Sequence, residues 1–187
     1  AGHCDWVWLR NPQRVARAMP DPCLRVLEGH TGGVDGALEL SDGRILSWSQ
    51  DGTLRLWDVR NGSPIAILEG YSHVFGVMSD GRILSWSLNL DTLCLLDGQS
   101  CLPLIILEGD TGFPRGAIEL SDGRILSWFS DYTLRLWDGQ SGALLATLEG
   151  HTDNVVGAVA LNNGRILSWS WDQTLRLWDE QSSAPLP

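Results

Sequence analysis

The stretch Gly43-Arg44-Ile45-Leu46-Ser47-Trp48 decides the fold, because the same six residues return at 81–86, 123–128 and 164–169. The isoleucines of successive copies stand 38, 42 and 41 residues apart. A second phrase, Leu-Arg-Leu-Trp-Asp, occupies 54–58, 134–138 and 175–179, with a decayed copy at Leu93-Cys94-Leu95-Leu96-Asp97. A third, Leu-Glu-Gly, begins at Leu27, Leu68, Leu107 and Leu148. Residues 23–187 are therefore four copies of one unit of about 40 residues, with units near 23–62, 63–101, 102–142 and 143–187. Residues 1–22 lie outside the repeat and read as a linker, with a short helix over 12–19 as a further expectation.

Each unit carries strand signals. Gly-Arg-Ile-Leu-Ser-Trp-Ser is a short apolar run opened by a Ser-Asp-Gly or Asn-Asn-Gly turn. Thr-Leu-Arg-Leu-Trp-Asp alternates with the period of two that places successive side chains on opposite faces. Residues 143–149 and 155–161 supply two more strands in the last unit. The spacing predicts an all-β protein of four-stranded antiparallel sheets. Such a sheet has two faces to cover and covers them by stacking on its neighbours.

These units resemble WD40 repeats, the blades of a β-propeller. The resemblance rests on Gly29-His30 and Gly150-His151, and on Trp57-Asp58, Trp137-Asp138 and Trp178-Asp179. It implies a network of a His, a Ser, a turn Asp and the signature Trp inside each blade. By motif, blade one would use His30, Ser47, Asp51 and Trp57, and blade four His151, Ser168, Asp172 and Trp178. Blade three keeps Ser127, Asp131 and Trp137 but has Asp110 in place of His. Blade two departs further, with Tyr71 at the His position and Leu96 at the Trp position. Its strand over 74–78 reads as about two residues short, which predicts the least ordered blade.

Composition narrows the function. The 187 residues carry 13 Lys+Arg against 23 Asp+Glu, a net charge of -10. That charge argues against nucleic acid or an anionic membrane as the partner, since both need a cationic footprint. No apolar run approaches the eighteen or so residues of a membrane helix, and the first residues lack a signal-peptide pattern. The chain opens on Ala1, which suits a processed product or a piece of a longer chain. Cys4, Cys23, Cys94 and Cys101 have no metal-ligand spacing, so no metal or other cofactor is expected. They read as free thiols of a reducing, cytoplasmic compartment, in preference to a Cys94–Cys101 disulfide. No nucleophile–base pair or phosphate-cradling loop stands out, which points away from an enzyme.

The two edges of the repeat differ. With strands a to d in each blade, the a–b turn reads Ser-Asp-Gly three times and Asn162-Asn163-Gly164 once. On the opposite edge the residue before the strand-a Gly is Asp35, Phe75, Arg115 and Val156 in turn. The b–c turn there holds Gln50 and Gly52, then 88–90, then Ser130 and Tyr132, then Trp171 and Gln173. One reading is a partner-binding surface, where WD40 propellers commonly bind; the other is drift in exposed turns. Aromatics and Arg anchor interfaces, which favours Asp35, Phe75, Arg115, Tyr132, Val156 and Trp171 as contact residues. The strand-b residues Trp48, Trp86, Trp128 and Trp169 read as packing between blades, and Arg55, Arg135 and Arg176 as partners of acidic neighbours.

Four blades cut at the usual WD40 angle sweep only about half a circle, leaving indole-bearing faces bare at both ends. A homodimer, further repeats of a longer chain, or a tight four-bladed ring would each close it. The first unit opens on a d strand over 23–28, phased to be lent to the last blade, which begins its own d strand at Ala184. The resemblance extends to repetitive arrays of large bacterial signalling ATPases. It implies a non-catalytic scaffold or sensor that binds protein; the alternatives are a small-ligand or carbohydrate site, or a decaying duplication product.

Overall fold

The computed structural model describes residues 22–90, 92–107, 112–162 and 164–179. The first sheet runs β1 (Val34–Glu39), β2 (Ile45–Ser49), β3 (Thr53–Asp58) and β4 (Ser63–Glu69), each antiparallel to the next. The second is β5 (Tyr71–Val77), β6 (Ile83–Ser87), β7 (Thr92–Leu96) and β8 (Pro103–Ile106). The third is β9 (Pro114–Glu119), β10 (Ile125–Phe129), β11 (Leu134–Trp137) and β12 (Leu144–Leu148). The fourth has three strands among the described residues, β13 (Val155–Ala160), β14 (Arg165–Ser170) and β15 (Leu175–Asp179). These are propeller blades in sequence order, and the ring is not closed: the extensive contacts join blade one to two, two to three and three to four. The expected helix over 12–19 and the strand opening at Ala184 fall outside the described residues. Among the described residues, 23–28 have no sheet partner, although Arg25 donates to the Asn61 carbonyl at 2.7 Å.

The core is three inter-blade layers. In the first, Leu40, Leu46, Leu54 and Leu56 of blade one meet Tyr71, Val74, Ile83, Cys94 and Leu96 of blade two. In the second, Met78, Leu84, Leu93 and Leu95 meet Ala117, Ile125, Phe129 and Trp137. In the third, Leu120, Leu126, Leu134 and Leu136 meet Val155, Ala158, Ile166 and Trp178. Each blade thus turns a leucine-rich face to its successor and a face of small, β-branched and aromatic residues to its predecessor. Cys94 and Cys101 are separate buried thiols in the first layer.

Register explains the strand-a glycines. Gly36, Gly116 and Gly157 sit opposite Trp48, Trp128 and Trp169, and a Cβ at any of them would land inside the facing indole. Blade two breaks this rule, since His73 stands opposite Trp86. Its first strand is not shortened: β5 spans seven residues and carries two bulges, and the sheet is complete. Tyr71 pairs with Ser87 as Val34 pairs with Ser49, so Tyr71 occupies the strand-a start and not the His position. The unit has lost the link before strand a, and the chain turns at Gly70 straight into β5. The same register makes Ser72, in the first bulge of β5, the counterpart of the bulge residues Asp35, Arg115 and Val156, and puts Phe75 in the second bulge, which the other blades lack.

The constant edge has a structural cause. Arg44 and Arg82, after the Asp-Gly of two a–b turns, each bind that turn's Asp at 2.6 Å. Arg44 then donates to the Gly98 and Gln99 carbonyls at 2.9 and 2.8 Å, and Arg82 to the Gly139 carbonyl at 2.6 Å. The turn thereby clips blade one and blade two each to the c–d turn of the next. Replacing Gly116 by Ala is expected to destabilise the protein by about 1–3 kcal/mol through overpacking against buried Trp128. Gly157→Ala costs less, because Trp169 lies on an open face and can move away; urea unfolding of the two variants side by side reads the difference.

Candidate functional site

Two constellations compete for attention, and the first is buried. In blade one the Trp57 indole donates to Ser47 Oγ at 2.8 Å, and Ser47 Oγ lies 2.8 Å from His30 Nε2. His30 Nδ1 lies 3.0 Å from Asp51 Oδ2, and the Thr53 hydroxyl donates to Asp51 Oδ1 at 2.7 Å. One proton arrangement serves all four groups with a neutral imidazole: indole N–H to Ser oxygen, Ser O–H to Nε2, Nδ1–H to carboxylate. Blade four repeats it through Trp178, Ser168, His151 and Asp172 at 2.8, 2.8 and 2.7 Å.

Asp–His–Ser in this order is also how a hydrolase arms its nucleophile. Here the serine is not available for attack. Its side chain is buried and its oxygen already receives the indole N–H, leaving no approach for a substrate. The network is a staple between strands b and c and the link before strand a.

Blade three keeps the Trp137–Ser127 bond at 2.7 Å, and Arg135 Nη2 reaches Asp131 Oδ2 at 2.6 Å while stacking on Phe129. Arg135 thus takes the carboxylate oxygen that His30 and His151 hold elsewhere; Asp110 falls outside the described residues. The expectation that Arg55 and Arg176 pair with acidic neighbours is corrected by this comparison, since in blades one and four the histidine engages that aspartate first. Arg176 Nε is buried without a partner. Blade two has no such network: Ser85 donates to the His73 carbonyl at 2.8 Å and Leu96 fills the Trp position.

Burial works against the charge on Asp51, but bonds from the Thr53 hydroxyl, the Thr31 amide and His30 outweigh it and hold the carboxyl well below its ordinary 3.8. Asp172 is lowered likewise, burial again being overcome by Thr174, His151 and Thr152.

The second constellation lies on the variable edge. There the b–c turn bonds the residues entering strand a: the Gln50 amide to the Gly33 carbonyl, Ser130 to Phe113 and Trp171 to Asn154, at 2.9, 2.9 and 3.0 Å. Tyr132 and Gln173 hold the left-handed conformation that Gly52 supplies in blade one, at φ of 70°, 68° and 76°. Asp35 is exposed and accepts from Gln50, while Val156, Tyr132 and Trp171 stand exposed on their own blades.

Of the sequence-chosen contact residues, the structure brings two together. Phe75 and Arg115 line one cleft of about 300 Å³ between blades two and three, with Ser72, His73, Trp86, Phe113 and Pro114. Trp86 packs at 5.6 Å from Phe113, and His73 lies between Trp48 and Phe75 at 5.7 and 4.8 Å. Desolvation of that ring lowers the His73 pKa, opposed by the charge of Asp35. The Trp86 Nε1 is buried without a hydrogen-bond partner, as are those of Trp48 and Trp128. None of the ion pairs among the described residues involves Arg115. Sequence reading missed Phe113 and His73. The first was signalled by Phe113 standing where the other full-length links carry Gly33 and Asn154, the second by the lost link of blade two.

Known proteins agree with this architecture. The family model described as "WD domain, G-beta repeat" matches residues 21–58 and 142–179, the segments that run through β1–β3 and β12–β15. Such propellers generally mediate protein interactions and are typically non-catalytic. The WD40 beta propeller domain of Doa1 is similar at 27% identity, a TM-score of 0.68, and coverage of 84% of this chain and 54% of that one. The computationally designed Ika4 protein shares the fold at 23% identity and TM-score 0.68, over 82% of this chain and 95% of that one. The designed Ika8 protein does so at 24% and 0.69, over 86% and 50%. The chain therefore spans about half the length of the Doa1 domain and of Ika8. No curated protein matches the sequence. Among the described residues no helix is long and apolar enough to cross a membrane, and no cluster of His, Cys, Asp and Glu could hold a metal ion.

Ser47→Ala strands both the Trp57 N–H and the His30 Nε2, and is expected to cost about 2–4 kcal/mol, against about 1–2 kcal/mol for Ser127→Ala, which strands the Trp137 N–H. Thermal unfolding of the two variants measures the gap. The depressed aspartates make the unfolded chain the better proton acceptor in acid, so their stabilisation is whole above about pH 4 and drains as pH falls further. A double Asp51→Asn, Asp172→Asn variant, less stable at pH 7, should show a flatter loss of stability from pH 5 to about pH 2.

Proposed function

We propose that the chain is a non-catalytic interaction module, a scaffold or sensor, that takes a protein segment along its variable edge. The observation that carries this reading is the cleft at Phe75, Trp86, Phe113 and Arg115. A planar guanidinium without an acidic partner among the described residues suits a carboxylate, bound through two parallel N–H donors. The flanking aromatic walls suit an apolar neighbour of that carboxylate and supply contact area at low entropic cost. The segment recognised is therefore acidic and apolar by turns. Asp35, Tyr132, Val156 and Trp171, exposed on the neighbouring blades, extend the surface beyond the cleft. Unpaired Cys94 and Cys101 are in keeping with a cytoplasmic setting.

A small ligand or carbohydrate is the second reading, favoured by the aromatic lining alone. Selection from a random peptide library on the immobilised chain should enrich segments with a carboxylate beside an aromatic or aliphatic residue. Arg115→Ala and Phe113→Ala should each weaken the selected peptide at least tenfold, about 1.4 kcal/mol, while Gln140→Ala on the constant edge leaves it unchanged. Peptides that bind both variants as well as the parent would refute the assignment. Glycan binding lost in the same variants would establish the second reading instead.

A further inference from the structure

The two ends of the array present the two halves of one more inter-blade layer. Leu54, Leu93 and Leu134 are at most 1% exposed, yet their counterpart Leu175 on blade four is 69% exposed. Register fixes the correspondence, because each of these residues faces the strand-b Trp of its own blade. Leu161, Leu167 and Leu177 complete the same face, and none of them is buried, whereas all their counterparts in the first three blades are. The opposite end shows the matching deficit. Val34 is 58% exposed where its counterpart Val155 is 1% exposed, and Ala37 and Ile45 are likewise less buried than Ala158 and Ile166.

The strands carry the same imbalance. Among the described residues β15 has no neighbour on its outer side, although β3, β7 and β11 each have one. Residues 23–28 are a strand-length piece with no sheet partner among the described residues. Their place is informative: Arg25 lies against Gly62 of blade one as Ile105 of β8 lies against Gly142 of blade three. The segment thus occupies the position of a preceding blade's last strand, without the blade. The chain matches 54% of the solved Doa1 propeller domain and 50% of Ika8, so propellers of this fold carry about as much chain again beside the part matched.

We propose that a second copy of this chain completes the ring. Blade four of each copy packs its leucine face on blade one of the other, and residues 23–28 of each add to the free edge of β15 of the other. Both contacts are head-to-tail, and two of them close an eight-bladed ring. This pairing does not rest on the peptide-binding reading, since the cleft lies within one copy.

Light scattering on the 187-residue chain should give a particle of twice 20.6 kDa that does not grow with concentration. Leu175→Glu and Val34→Arg should each reduce it to a single chain. Mixing the two variants should restore a one-to-one pair, because the unaltered face of each still meets the unaltered face of the other; two unfolded variants would not do this. On the parent chain, hydrogen exchange should show slow amides at 24–28 and 175–179 that become fast on dilution to single chains. A parent chain that stays at 20.6 kDa at every concentration overturns the proposal and leaves further repeats of a longer chain to cover these faces. A ladder of growing species overturns closure by two copies.

Discussion

Everything in this molecule depends on the apolar layer between consecutive blades. A single four-stranded sheet has no interior of its own, so its leucines and indoles leave water only when another sheet covers them. The three layers are built alike, four leucines, or three and a methionine, in one face meeting smaller, β-branched or aromatic residues in the next. This division of labour lets large side chains fall between small ones, which packs a layer without voids. It also makes the array directional. A blade can be followed by another of its kind but cannot pair with itself face to face in the same way.

Polar groups then fix what the apolar layer leaves loose. Within blades one and four, the indole–serine–imidazole–carboxylate chain leaves no buried donor of its members unused. Between blades, Arg44 and Arg82 set the angle by reaching the next c–d turn. A turn that holds its own aspartate and its neighbour's carbonyls tolerates little change, whereas on the opposite edge the b–c turns bond mostly within their own blade, the Tyr71 amide to the Gly52 carbonyl at 3.2 Å being an exception. The two edges differ in variability for this reason, whether or not a partner reads the variable one.

Much of this was legible in the chain. The period, the strands and the blade architecture followed from phrases repeated at fixed spacing, and the sites of the network bonds in blades one and four coincide with the motif residues. Blade two misled, because a repeat aligned on Leu-Glu-Gly puts Tyr71 at the position of His30. The loss of the intervening link is invisible until strand pairing shows Tyr71 opposite Ser87. The role of Arg135 was hidden for a similar reason. The same residue type recurs at Arg55 and Arg176, and only the identity of the group competing for the aspartate separates them.

The irregularity of blade two and the cleft beside it have one origin. In the other blades a strand-a glycine lets the strand-b indole lie flat on its neighbour strand. His73 removes that floor, and the Trp86 ring packs against Phe113 of the next blade instead. The missing link shortens the rim over the same place, and the bulge at Val74 and Gly76 turns Phe75 toward the gap. The cleft is thus shared by two blades: blade two supplies His73, Phe75 and Trp86, and blade three supplies Phe113 and Arg115.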